Sequence, residues 1–150
     1  MTGTILVPID FSAAEPAITD CAAVLAKGLA AKIVLLHVEA PEPAFVGYEA
    51  GPQSVRDSVA RSIHGNGQAL HAVRDRLRAQ GLSVESLLIQ GSTAEKIVDE
   101  AGRLNAEYIV IGSHGHGALF DLVVGSVSDG VIRRAPCPVV VVPRTAQKAS

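Results

Sequence analysis

The run Lys32-Ile33-Val34-Leu35-Leu36-His37-Val38 shows little alternation of apolar and polar residues. A strand with one wet face alternates, so this run fits a strand covered on both faces, the condition of a parallel sheet flanked by helices. Ile5 to Ile9, Val84 to Ile89 and Tyr108 to Ile111 are further short runs of strand type. A fifth, Val139-Val140-Val141-Val142, stands between Pro138 and Pro143, and prolines at both ends suit an edge strand.

Helical spacing fills the intervals. Ile18, Ala22, Leu25 and Leu29 predict a helix from about 13 to 30, with Ser12 and Glu15 at capping-box spacing. Val59, Ile63, Leu70, Val73 and Leu77 mark a second helix to about 80. Gly65 and Gly67 cost it roughly 1 kcal/mol each relative to alanine and put a kink or frayed start near Gly65. Ser92 and Glu95 repeat the capping pattern ahead of Ile97, Val98, Ala101 and Leu104, and a last helix is predicted from about 126 to 134. The alternation of strand and helix predicts one α/β domain over 1–150, Rossmann-like, with a parallel sheet and helices on both faces. Residues 39–53 hold Pro41, Pro43, Gly47, Gly51 and Pro52 and are expected to form a long loop; about 1–3 and 144–150 are expected to be flexible termini.

Composition narrows the function. With 13 basic and 15 acidic side chains and a net charge of −2, the chain lacks the basic footprint of a nucleic-acid binder. No apolar run approaches a membrane span, so a cytoplasmic protein is expected. Cys21 and Cys137 belong to no ligand pattern and read as packing residues; His37, His64, His71, His114 and His116 have no carboxylate at metal-site spacing, so no metal site is expected.

The apolar run ending at Ile111 empties into a segment with glycines at 112, 115, 117 and 125, followed by Ser126, Val127 and Ser128 at a helix start. Glycines let backbone come close to a ligand, and a helix start offers unpaired N–H groups and a positive dipole end, so the segment is expected to hold phosphate. Ligands of such sheets bind beyond the carboxyl ends of the strands where strand order reverses. If the fourth strand neighbours the first, the turn from Pro8 to Ser12 faces this segment across one crevice.

These residues resemble the universal stress protein family, whose nucleotide-binding members carry Gly-x2-Gly-x9-Gly-Ser/Thr. Gly112, Gly115, Gly125 and Ser126 match that signature, and the similarity extends to Ile5-Leu6-Val7-Pro8-Ile9-Asp10-Phe11-Ser12, to Leu35-Leu36-His37-Val38, to the helix start from Ser92 to Ala101, and to Ala135 through Val142. The resemblance implies a five-stranded parallel sheet of order 3-2-1-4-5 that binds ATP, and homodimers paired through Val139, Val140, Val141 and Val142; Mg2+ is expected to assist the bound ATP. It places Pro8, Ile9 and Asp10 beside the nucleotide, with Asp10 on the sugar side, and the backbone of Val38 at the adenine. Gly112, Gly115, Gly125, Ser126 and Val127 would wrap ribose and phosphates and Ile111 would line the site; Ser128 is added on its position alone. Many relatives carry arginine where this chain has His116, from which a weaker or pH-dependent phosphate grip is expected.

Blander readings stand beside these. The glycines fit a ligand-free strand-to-helix turn, Ser126 a plain cap, and Asp10 a turn residue bonding its own backbone. His114 and His116 are similar to the His-x-Gly-His motif of nucleotidyl transferases, but that motif follows the first strand, where this chain has no histidine. No catalytic residue is assigned: a nucleotide-dependent regulatory dimer of the stress response is expected, with slow ATP hydrolysis or autophosphorylation at most. AMP or cyclic AMP binding, a true ATPase or nucleotidyl transferase, and a nucleotide-free partner-binding dimer are the alternatives.

Overall fold

In the computed structural model residues 3–39, 53–113 and 125–143 are described, those at 53–64 by backbone alone. Strands β1 (Thr4–Pro8), β2 (Lys32–Glu39), β3 (Val84–Gln90), β4 (Tyr108–Gly112) and β5 (Val139–Val142) alternate with helices α1 (Glu15–Leu29), α2 (Gln53–Arg78), α3 (Thr93–Arg103) and α4 (Ser126–Arg134). The sheet has the order β3-β2-β1-β4-β5 and every pairing is parallel, as the sequence predicts.

The unalternating strands explain the two-sided core. Ile5, Val7 and Ile9 of the first strand and turn, with Ile33 and Leu35 of β2, meet Ile18, Ala22 and Ala26 of α1 and Leu70, Val73 and Leu77 of α2. The intervening residues Leu6, Val34, Leu36 and Val38 face the other way, onto Ile97 and Ala101 of α3 and Val131 of α4. Fully burying a side chain of this size contributes about 1.5–3 kcal/mol, so β1 and β2 anchor both layers at once. On the second face α3 and α4 approach closely: a Cβ at Gly130 would stand 3.0 Å from that of Ala94.

Three local expectations are corrected. The Ser12–Glu15 capping box does not close; α1 begins at Glu15, its N-cap is Ala14, and the Glu15 carboxylate instead takes hydrogen bonds from Thr19 Oγ1 at 2.8 Å and Arg76 at 2.7 Å. Competition from a cation on α2 outweighs a local cap that the sequence alone offers. Ser92 is the N-cap of α3, yet its side chain makes no capping bond. Gly65 and Gly67 produce no break, and α2 starts at Gln53, earlier than the apolar spacing implies. The loop expected at 39–53 falls almost wholly outside the described residues, as do 1–2 and 144–150; its first and last residues end β2 and start α2.

Candidate functional site between the first and fourth strands

The centre of the sheet opens at its carboxyl end. β1 stays paired with β2 through Pro8↔Leu36, and β4 with β5 through Gly112↔Val142. Between β1 and β4, however, pairing ends at Leu6↔Ile109, although both strands run on. The chain leaves β1 toward the α1 face and returns after β4 into α4 on the opposite face. The result is the crevice expected where strand order reverses.

The β4 wall is built from backbone. Ser113 N–H donates to Val142 O at 2.9 Å, and Gly125 N–H donates to Ser113 O at 2.8 Å, which returns the chain to the strand end from which it departed. Gly125 is the N-cap of α4 in extended conformation, with no side-chain cap bond. As the first three helical residues, Ser126, Val127 and Ser128 have N–H groups without intrahelical acceptors, at the positive end of the helix dipole. Ser126 and Val127 are exposed, whereas Ser128 is buried and its hydroxyl donates to Gly112 O at 2.6 Å. The Ser128 hydroxyl therefore spends its proton on fixing α4 to β4, while Ser126 and Val127 lie at the open side. Ile111 and Gly112 are buried at the strand end.

The β1 wall adds side chains to its backbone bonds. Ile9 is buried, its N–H donates to Leu36 O at 2.8 Å, and its carbonyl accepts from His37 Nδ1 at 2.6 Å. Asp10 is exposed and its Oδ1 accepts the Ser12 N–H at 2.9 Å, the self-bonded turn that its position allows. Phe11 adopts φ 60°, a left-handed conformation uncommon for a bulky residue, with its ring centroid 4.7 Å from that of His37. Pro8 is half-buried at the end of β1, and Val38 is buried on the α3 face of β2.

Pro8, Ile9 and Asp10 thus come together on one wall and Ile111, Gly112, Gly125, Ser126, Val127 and Ser128 on the other, with Val38 on the neighbouring strand. Gly115 lies outside the described residues, as do His114, His116 and Gly117. Among the described residues no group of three His, Cys, Asp or Glu side chains is placed to hold a metal ion. Burial raises the pKa of both the Cys21 and Cys137 thiols, which favours their protonated form.

The sequence pattern of the universal stress protein family matches residues 1–143. The chain belongs to the universal stress protein family. It is 32% identical over 143 residues to the universal stress protein Sll1654 of Synechocystis, covering 95% of this chain and 87% of the relative. Among solved structures it is similar in fold to a universal stress protein in complex with cAMP, with a TM-score of 0.70 and 22% identity over 95% of this chain and 97% of the other. It is likewise similar to the universal stress protein of Archaeoglobus fulgidus in complex with dAMP, with a TM-score of 0.69 and 23% identity over 93% and 97% of the two chains.

One residue of this universal stress protein escapes a search by motif. His37 has no carboxylate at the spacing of a helical metal site, yet on a strand residues two apart share a face. His37 Nε2 lies 3.2 Å from Glu39 Oε1, and Glu39 Oε1 also accepts from Asn66 Nδ2 of α2. The period of the strand was the available signal.

Proposed function

We propose that this universal stress protein binds an adenine nucleotide, ATP in the first instance, in the crevice between the β1 and β4 walls. The observation that carries this reading is the parting of β1 and β4 beyond Leu6↔Ile109, beside the helix start of α4. Unpaired N–H groups at such a start, with glycines that let phosphate approach, favour anionic oxygens without a dedicated cation. In this reading Gly112, Gly115, Gly125, Ser126 and Val127 surround ribose and phosphates, and Pro8, Ile9 and Asp10 flank the nucleotide. Val38 offers its backbone to adenine, and Mg2+ arrives with the phosphates.

No residue is assigned as a catalyst. Hydrolysis, where it occurs, rests on positioning and is slow. The working unit is a cytoplasmic homodimer paired through β5, whose four valines form one edge of the sheet. It serves as a nucleotide-dependent regulator in the stress response.

Mass spectrometry of the ligand released by denaturing freshly purified protein tests the reading, followed by calorimetry with ATP, AMP and cyclic AMP. Recovery or binding of ATP is expected. Absence of any adenine nucleotide, with no heat of binding, overturns it. A preference for AMP or cyclic AMP is the second reading, favoured by the cAMP and dAMP complexes of proteins with this fold.

A further inference from the structure

We propose that His37 is the positioning residue of the Ile9–Ser12 turn, and that it holds the turn only while a proton lies between its ring and Glu39. The inference rests on the nucleotide reading for its consequence, since this turn is one wall of the crevice, but its structural content is independent of any ligand.

The proton count follows from the partners. A carbonyl oxygen only accepts, so the bond to Ile9 O requires hydrogen on Nδ1. Nε2 faces an oxygen of Glu39, and a favourable contact there requires one more hydrogen, carried by the ring or by the carboxyl group. When that proton leaves, a nitrogen lone pair meets a carboxylate lone pair. Both side chains are largely shielded, at 12% and 16% exposure, so water screens the repulsion poorly.

The response is directional. The same Glu39 Oε1 is held by Asn66 Nδ2 of α2, and the Glu39 backbone carbonyl accepts from Gly91 N–H at 2.9 Å. The imidazole is therefore the partner that turns away, and it takes with it the bond to Ile9 O and the packing on Phe11. Phe11 stands at φ 60°, a conformation that persists only where its surroundings impose it. Losing the ring contact releases the turn toward ordinary backbone. Other charged groups on the surrounding elements have their own contacts: Asp10 bonds Ser12 N–H, and Glu15 of α1 pairs with Arg76 of α2. His71 of α2 is exposed. Among the described residues only Glu39 lies within ion-pair distance of the His37 ring.

The experiment uses the full chain. Nitrogen-15 NMR of the His37 ring and the backbone amides of Asp10, Phe11 and Ser12 is followed from about pH 6 to about pH 9 without nucleotide, for wild type, Glu39→Gln and His37→Phe. The wild-type ring is expected to carry hydrogen on Nδ1 at low pH, where it bonds Ile9 O, and the turn amides to shift with the same midpoint as the ring. Glu39→Gln is expected to abolish the shift of the turn amides, because a glutamine amide donates to a neutral Nε2 and keeps the ring in place. His37→Phe is expected to show the high-pH turn at every pH. Turn amides that ignore the ring titration, or that shift identically in Glu39→Gln, overturn the proposal.

Calorimetry with ATP over the same range then reads the consequence. A fall in affinity of about tenfold toward high pH is expected in wild type, the size of one lost hydrogen bond, and none in Glu39→Gln. Unchanged wild-type affinity overturns the coupling to the site. Turn amides that follow the ring, with no ATP binding at any pH, overturn the nucleotide reading and leave the positioning role of His37 standing.

Discussion

The two walls of the crevice are held by different chemistry. After β4 the chain is fixed by backbone N–H donors and one serine hydroxyl, none of which changes charge near neutral pH. After β1 a backbone bond from Ile9 N–H to Leu36 O is joined by an imidazole, a carboxylate and an amide drawn from β2 and α2. A wall made of peptide groups behaves as scaffold. The wall made of titratable side chains has a geometry that solution conditions can reach, although both walls border the same space.

Mutations that strike one wall at a time break or sharpen that contrast. The largest effect is expected for Gly125→Val, which places a branched side chain where the β4 wall would receive phosphate. ATP affinity should fall by about a hundredfold or more, as when several charge-assisted bonds are lost, while circular dichroism and melting stay close to wild type. Unchanged affinity would show that ligand does not approach this wall.

Next comes Ser128→Ala. Gly112 O is buried and loses its donor, so a destabilisation of about 1–3 kcal/mol is expected in denaturant unfolding. Any loss of ATP affinity relative to wild type should be the same at about pH 6 and about pH 9, because the Ser128 hydroxyl and the Gly112 carbonyl exchange no proton over that range. A pH-dependent loss would erase the distinction between the walls.

Gly28→Ala is a control that touches neither wall. A Cβ there meets nothing within 4 Å, so the variant should gain about 0.5 kcal/mol from helix propensity with nucleotide affinity unchanged. The smallest effect is expected for Glu100→Gln on α3. The hydrogen bond from Arg103 lowers the Glu100 pKa in the folded state. A depressed carboxylate stabilises the fold above its unfolded pKa and loses that contribution as pH falls through the folded one. The variant should therefore be slightly less stable than wild type at neutral pH and equal to it in strong acid, as read by melting temperature. A difference that grows in acid would contradict the sign.

Much of this arrangement is legible in residue order. Unalternating runs at Ile5–Ile9 and Ile33–Val38 require cover on both faces, and that requirement leads to the parallel sheet found here. The start of α4 follows from Gly125 and Ser126, and the edge position of β5 from its flanking prolines. Less legible are choices settled by distant partners. Glu15 has the spacing of a cap but is drawn to Arg76 on another helix. The His37–Glu39 pair lies in plain view two residues apart on a strand, whereas its anchors, Ile9 O and Asn66, are brought in only by folding. The parting of β1 from β4 is likewise a property of sheet geometry that no single residue announces.

The hydrogen bond from Gly125 to Ser113 has a wider consequence. It ties the residue that follows β4 directly to the residue that precedes α4, so the end of the strand and the start of the helix meet at one point. The seam between sheet and helix is thus written in main-chain atoms, so substitutions at Ser113 or Gly125 change what lines the crevice without removing the bond that joins the two elements.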